Sequence, residues 1–172
     1  MESPASLAGL FSWVIQMTEN GPVLTGGCQC GAVRYRLARP PSKVSVCFCR
    51  MCQKAVGGYF GAYASSRAED VVWTRGELSL FRSSEVAERG FCGVCGTPLS
   101  FSYRGSGRLS VSTGSLDDPA AFPPGVAHGI EGRVPFFADI CELEGTRTED
   151  DIPADEMVRY RSRQHPDHDT ES

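Results

Sequence analysis

Eight cysteines in 172 residues constrain this chain more than any other feature in it. Seven fall at short spacings: Cys28-Gln-Cys30-Gly31, Cys47-Phe-Cys49 running on into Cys49-Arg-Met-Cys52, and Cys92-Gly-Val-Cys95-Gly96. Cys141 stands alone. So many thiols imply either disulfides in an oxidising compartment or metal ligation in a reducing one. A secretory signal would favour disulfides, and it needs a basic segment followed by a continuous apolar one. Residues 1–16, MESPASLAGLFSWVIQ, carry no Lys or Arg, and Ser12 interrupts their apolar run. Met17 is read instead as the true start of translation, the alternative being a short amphipathic segment docked on the domain. No stretch approaches the ~18 apolar residues of a membrane span. The cysteines are therefore expected to be metal-bound thiolates in the cytoplasm. For Cys28, Cys30, Cys92 and Cys95 the alternative is two disulfides.

The residues flanking the cysteines sort them into two groups. Gly31 and Gly96 each follow the second cysteine of their motif. In a zinc knuckle the chain folds around the metal with backbone N–H groups near the sulfurs, and glycine permits the positive φ this needs. Two knuckles joined by a sheet supply four thiolates in a closed tetrahedron, which assigns Cys28, Cys30, Cys92 and Cys95 to a structural zinc. Cys47, Cys49 and Cys52 have no glycine behind them. Cys47 and Cys49 share a face at the end of a strand, and Cys52 follows after one turn. Three ligands leave a fourth position open, the pattern of a catalytic zinc; the alternative is a set of free or weakly metallated thiols without activity. Arg50 and Lys54 lie beside this trio, suited to offset thiolate charge or to bind an anionic substrate. Cys141 and the Phe136–Phe137 pair are expected in the core. His128 is expected to be a satisfied structural histidine, and His165 and His168 to belong to a solvated tail.

Between the cysteines the sequence alternates apolar and polar residues over short runs: AVRYRLA (32–38), KVSVCF (43–48), YFGAYAS (59–65), DVVWT (70–74), LSLFRS (78–83), PLSFSY (98–103) and RLSVST (108–113). Glycine-containing breaks separate several of them, so the fold class is mainly β, built of short antiparallel strands with few short helices. Two segments read as helical: RMCQKAV after Cys49, and LDDPAAF (116–122), where Asp117 or Asp118 would cap and Pro119 would sit in the first turn. Beyond about Glu144 the chain becomes charged and aperiodic, with a short helix around 154–163. One zinc domain over 22–144 is thus expected between a leader, 1–21, and a charged mobile tail, 145–172. A net charge of -4 leaves no basic footprint for nucleic acid.

The motifs GGCQCGAVRYRL, CFCRMCQKAVGGYF, RGFCGVCGTPLSF and STGSLDDPAAFPP together resemble the glutathione-dependent formaldehyde-activating family, over about residues 25–140. The resemblance implies a β-tent fold, shared with type B methionine sulfoxide reductases. It implies a structural zinc at Cys28, Cys30, Cys92 and Cys95, and a catalytic zinc at Cys47, Cys49 and Cys52. It also implies a carbon–sulfur lyase that joins glutathione to formaldehyde as S-hydroxymethylglutathione. Members often carry an aromatic or β-branched residue after the histidine matching His128, where this chain has Gly129. Two other functions fit the same cysteines: a non-catalytic zinc-stabilised interaction module, as in centromere protein V, and a thiol oxidoreductase using Cys49 and Cys52.

Overall fold

The computed structural model describes residues 24–171, so the expectations for the leader and for a start at Met17 lie outside the described residues. Its strands are β1 (Thr25–Gly27), β2 (Arg34–Leu37), β3 (Lys43–Cys47), β4 (Gly61–Arg67), β5 (Val71–Arg75), β6 (Ser79–Arg82), β7 (Ala87–Phe91), β8 (Pro98–Tyr103), β9 (Arg108–Ser112) and β10 (Val126–His128). Helix α1 (Arg50–Val56) lies between β3 and β4. The strands form a three-stranded sheet, β1-β2-β5, and a seven-stranded one, β10-β3-β4-β9-β8-β7-β6. All neighbours are antiparallel except β10, which runs parallel to β3. The fold is mainly β, as the alternation predicts.

Apolar residues at every second position give each strand a face to bury. Tyr35 and Leu37 from the small sheet meet Ala64, Leu99 and Val111 from the large one, with Leu116 and Phe122 closing the same core. Each fully buried Leu or Val side chain contributes roughly 1.5–3 kcal/mol. Cys28 and Cys92 belong to this core, so the two knuckles are anchored from within. The Tyr35 hydroxyl lies 2.8 Å from that of Ser115, which donates to the Ser112 carbonyl at 2.7 Å.

The segment 116–122 departs from expectation. It holds only a single 3-10 turn, Pro119–Ala121, and neither acidic side chain caps it. Asp117 is committed elsewhere: Arg34, 3% exposed, donates Nη1 and Nη2 to its two carboxylate oxygens at 2.8 and 2.5 Å. The Thr25 hydroxyl adds a bond of 2.6 Å. A charge-paired bond outcompetes a neutral cap at the same carboxylate.

Two core expectations are corrected. Cys141 is exposed, because FFADICEL winds into a 3-10 helix, Phe137–Glu142, instead of extending as a strand. Phe136 is 47% exposed and meets the Tyr59 ring edge-on at 5.3 Å, whereas Phe137 stacks edge-on to Phe48 at 4.8 Å.

The chain end is drawn onto the first knuckle. The His165 amide donates to the Gln29 carbonyl at 2.8 Å, and Asp169 accepts from Arg34 Nε and Nη2 at 3.0 and 2.6 Å. Arg75 reaches the Thr170 carbonyl at 2.5 Å. His165 is consequently half-buried rather than solvated, while His168 is exposed.

Candidate metal centres

The first knuckle closes between β1 and β2. The Cys28 amide donates to the Val33 carbonyl at 2.9 Å, and the Val33 amide donates to Cys28 Sγ at 3.2 Å. The second closes between β7 and β8, where the Cys92 amide donates to the Thr97 carbonyl at 3.0 Å and Gly96 N–H to the Cys92 carbonyl at 2.9 Å. Gly31 and Gly96 take φ of 75° and 78°, the left-handed turn expected of knuckle glycines. Thr97 Oγ1 ties the pair, accepting from the Gln29 amide at 3.1 Å and lying 3.1 Å from Cys95 Sγ.

The four sulfurs Cys28, Cys30, Cys92 and Cys95 all lie within 4.8 Å of one another. Cys28 and Cys30 are 3.5 Å apart and Cys30 and Cys92 3.8 Å apart. A disulfide needs ~2.05 Å, whereas a tetrahedron with zinc–sulfur bonds of ~2.3 Å has edges of roughly 3.8 Å. The spacing fits a metal.

The second cluster, Cys47, Cys49 and Cys52, also has its sulfurs within 4.8 Å. Cys47 ends β3, Cys49 precedes α1 and Cys52 lies in its first turn, 5% exposed. Gln53 braces the bend, donating Nε2 to the carbonyls of Phe48 and Gly132 at 2.9 and 2.8 Å. Burial pushes the Cys47 thiol up to about 12, and the neighbouring sulfurs of Cys49 and Cys52 add to it. Burial also raises Cys49, but the amides of Cys52 and Met51 and the flanking thiols outweigh it and bring Cys49 below the ordinary thiol value. Crowded thiols thus hold their protons unequally. A soft dication displaces those protons, and three or four thiolates without a carboxylate suit zinc.

A cavity of about 710 Å³ opens on this trio. Its floor is one face of the large sheet. A single cross-strand row runs Arg89, Phe101, Ser110, Ser65 and Lys43 over β7, β8, β9, β4 and β3. His128 pairs with Cys47 across β10 and β3, and both line the cavity. His128 is thus an exposed wall of the trio's cavity rather than a satisfied structural histidine. Arg50 and Lys54 do not line this cavity: Arg50 donates to Gln53 Oε1 at 3.2 Å, and Lys54 lines a neighbouring one that shares Met51, Tyr63 and Arg89 with it.

Arg89, Tyr63 and Lys43 were not picked out by sequence reasoning. The available signal was period: with Ala87 and Phe91 on its face, Arg89 holds an inward position in β7.

Gly129 permits β10 to reach the trio. Its φ is 59°, and a Cβ there would sit 2.7 Å from the Cys49 amide nitrogen. Gly129→Val, the kind of residue common in the resembling family, is therefore expected to destabilise by at least about 2 kcal/mol. Thermal unfolding checks this, and an unchanged Tm would mean the Cys49 turn yields freely.

A family model for the glutathione-dependent formaldehyde-activating enzyme matches residues 23–130, more than half of the chain. The chain belongs to this family. A Halomonas elongata protein whose name assigns it provisionally to the same enzyme is 28% identical over 152 residues, 82% of this chain and 96% of that protein. A Schizosaccharomyces pombe protein named as an uncharacterized lyase is 32% identical over 82 residues, 48% of this chain and 59% of its own length. A solved Rhodobacter sphaeroides structure, 26% identical, covers 54% of this chain and 86% of its own, with a TM-score of 0.45. These relatives are named as an enzyme and as a lyase, and the two cysteine clusters of this chain are placed to hold metal ions. No helix among the described residues is long and apolar enough to cross a membrane.

Proposed function

We propose that the chain is a zinc-dependent carbon–sulfur lyase that interconverts a small acidic thiol plus formaldehyde with the S-hydroxymethyl thiol, S-hydroxymethylglutathione being the substrate its family name suggests. Cys28, Cys30, Cys92 and Cys95 hold a structural zinc, and Cys47, Cys49 and Cys52 hold a catalytic one. When bound at the trio, zinc supplies Lewis acidity that favours thiolate or polarises a carbonyl at neutral pH.

One observation carries the reading. In a chain of net charge -4, the cavity beside the trio is lined by Lys43, Arg89 and Arg108 and by no Asp or Glu among the described residues. Such a lining draws in anions and holds them. Arg108 is fixed by Ser65, whose hydroxyl accepts from its Nε and Nη2 at 3.2 and 3.1 Å. Lys43 stands four residues from Cys47 on β3, a separation of ~13 Å. A thiol with its sulfur at the cysteines can therefore extend its carboxylates toward Lys43 and Arg108.

The reaction needs no oxidant. The thiol loses its proton, its sulfur pair forms the bond to the aldehyde carbon, and the C=O π pair moves to oxygen, which takes up a proton. The residues of the cavity orient the thiol and hold the carbonyl within bonding distance of sulfur, which converts a bimolecular encounter into a local one.

Exchange NMR of glutathione, formaldehyde and their adduct tests this. The zinc-loaded protein is expected to speed exchange at least tenfold over its Cys49→Ser variant, and to favour glutathione over 2-mercaptoethanol. Exchange at the buffer rate with both centres loaded would sink the proposal and leave a scaffold.

A further inference from the structure

Three thiolates around a dication leave a net negative charge in a half-buried place, and the two cations next to them in sequence, Arg50 and Lys54, are directed elsewhere. A different cation reaches the trio. Arg89 is 8% exposed on β7, and its Nη2 donates to Cys52 Sγ at 3.5 Å. Nη1 donates to the Tyr63 hydroxyl at 3.0 Å, and the guanidinium lies over the Phe101 ring at 4.9 Å.

What Arg89 lacks is as informative. No carboxylate pairs with it among the described residues, and its buried Nε has no hydrogen-bond partner. A buried guanidinium without a counter-ion is costly. Of the two groups that its donors meet, the Tyr63 hydroxyl is a neutral phenol at neutral pH, and the Cys52 sulfur is the one that metal ligation would make anionic. The guanidinium charge therefore stands against the sulfur that the trio would turn toward a metal.

We infer that Arg89 is the positioning residue of the trio: it holds Cys52 in its ligating orientation and offsets the excess negative charge of three thiolates. The inference rests on the reading of Cys47, Cys49 and Cys52 as a metal site. It also gives the second knuckle a role in the chemistry. β7 runs from Arg89 directly into Cys92, so the knuckle's closure sets where the guanidinium stands. Metal-ligand partners of this kind are worth 10–100-fold in metal affinity.

The test uses the full chain loaded with cobalt(II), whose absorption bands report thiolate ligation, and a chelator titration that resolves the two centres. Arg89→Met is expected to weaken cobalt binding at the trio 10–100-fold and to shift its bands, while the knuckle centre keeps its affinity. Arg89→Lys, which keeps the charge but cannot reach both Tyr63 and Cys52, is expected to fall 3–10-fold below wild type. It also serves if the methionine variant does not fold. Trio affinity within twofold of wild type in either folded variant would overturn the inference while leaving the metal reading intact. A wild-type chain that holds one cobalt would take down the metal reading and this inference with it.

Discussion

Replacing Cys92 with serine is expected to abolish cooperative unfolding of this protein or lower its Tm by more than about 15 °C, with the loss of one zinc per chain. Cys92 is 1% exposed and joins β7 to β8, and its knuckle meets the one that joins β1 to β2. The four sulfurs therefore connect the small sheet to the large one. A structural zinc supplies about 10–16 kcal/mol of apparent binding energy in small zinc domains, as much as the whole net stability of an ordinary domain, ~5–15 kcal/mol. Removing one thiolate also leaves a polar hydroxyl in the apolar core to which Cys92 belongs. Circular dichroism melting with elemental analysis measures both outcomes. The control is Cys49→Ser, expected to lose the other zinc with a far smaller change in Tm, since the trio lies within one sheet and one helix. A Cys92→Ser protein melting within about 3 °C of wild type would mean that the knuckles do not hold the sheets together.

The two knuckle turns were legible in the sequence, because glycine position is a local signal. Gly31 and Gly96 had to take positive φ for their knuckles to close, and they do. The strands with clean alternation were legible for the same reason. β1, β7 and β10 were not: TGG has no side chains to alternate, AERGF places an arginine where an apolar residue would be read, and VAH is three residues long. Their pairing is fixed by the sheet around them, which no local pattern encodes. FFADICEL shows the converse, an apolar alternation that no sheet edge receives.

The site divides in the same way. Cys47, Cys49 and Cys52 are close in sequence and close in space, so their clustering followed from spacing. The charge that meets them did not, because Arg89 is 37 residues from Cys52 and arrives by strand order. Arg50 and Lys54 are neighbours in sequence only, since the turn of α1 rotates them out of the cavity. His128 reaches Cys47 through the sole parallel pairing of the described strands.

Asp117→Ala is expected to cost about 3–5 kcal/mol, the range for removing one partner of a buried ion pair. The aspartate side chain is 4% exposed, and Arg34 at 3% would keep only the half-exposed Asp169 as a counter-ion. Burial alone would raise the Asp117 carboxyl, but hydrogen bonds from Arg34 and Thr25 outweigh it and hold the group below the usual carboxylate range. A carboxyl lowered in the folded state stabilises at pH above its unfolded value, ~3.9, and that stabilisation is lost as pH falls through the lower folded value. The gap in urea unfolding between wild type and Asp117→Ala should therefore be constant from neutral pH to about 5 and close below about 4. Acid-driven metal loss acts on both chains, so their difference isolates the pair. The double variant Arg34→Met, Asp117→Leu should recover most of the loss, because two apolar groups replace a pair whose desolvation was itself costly. A single-variant cost under 1 kcal/mol would show that Asp169 and the chain end already neutralise Arg34, and a gap that persists in acid would show that the loss does not come from the ion pair. In the first case the tail rather than the 116–122 segment would be the principal partner of Arg34.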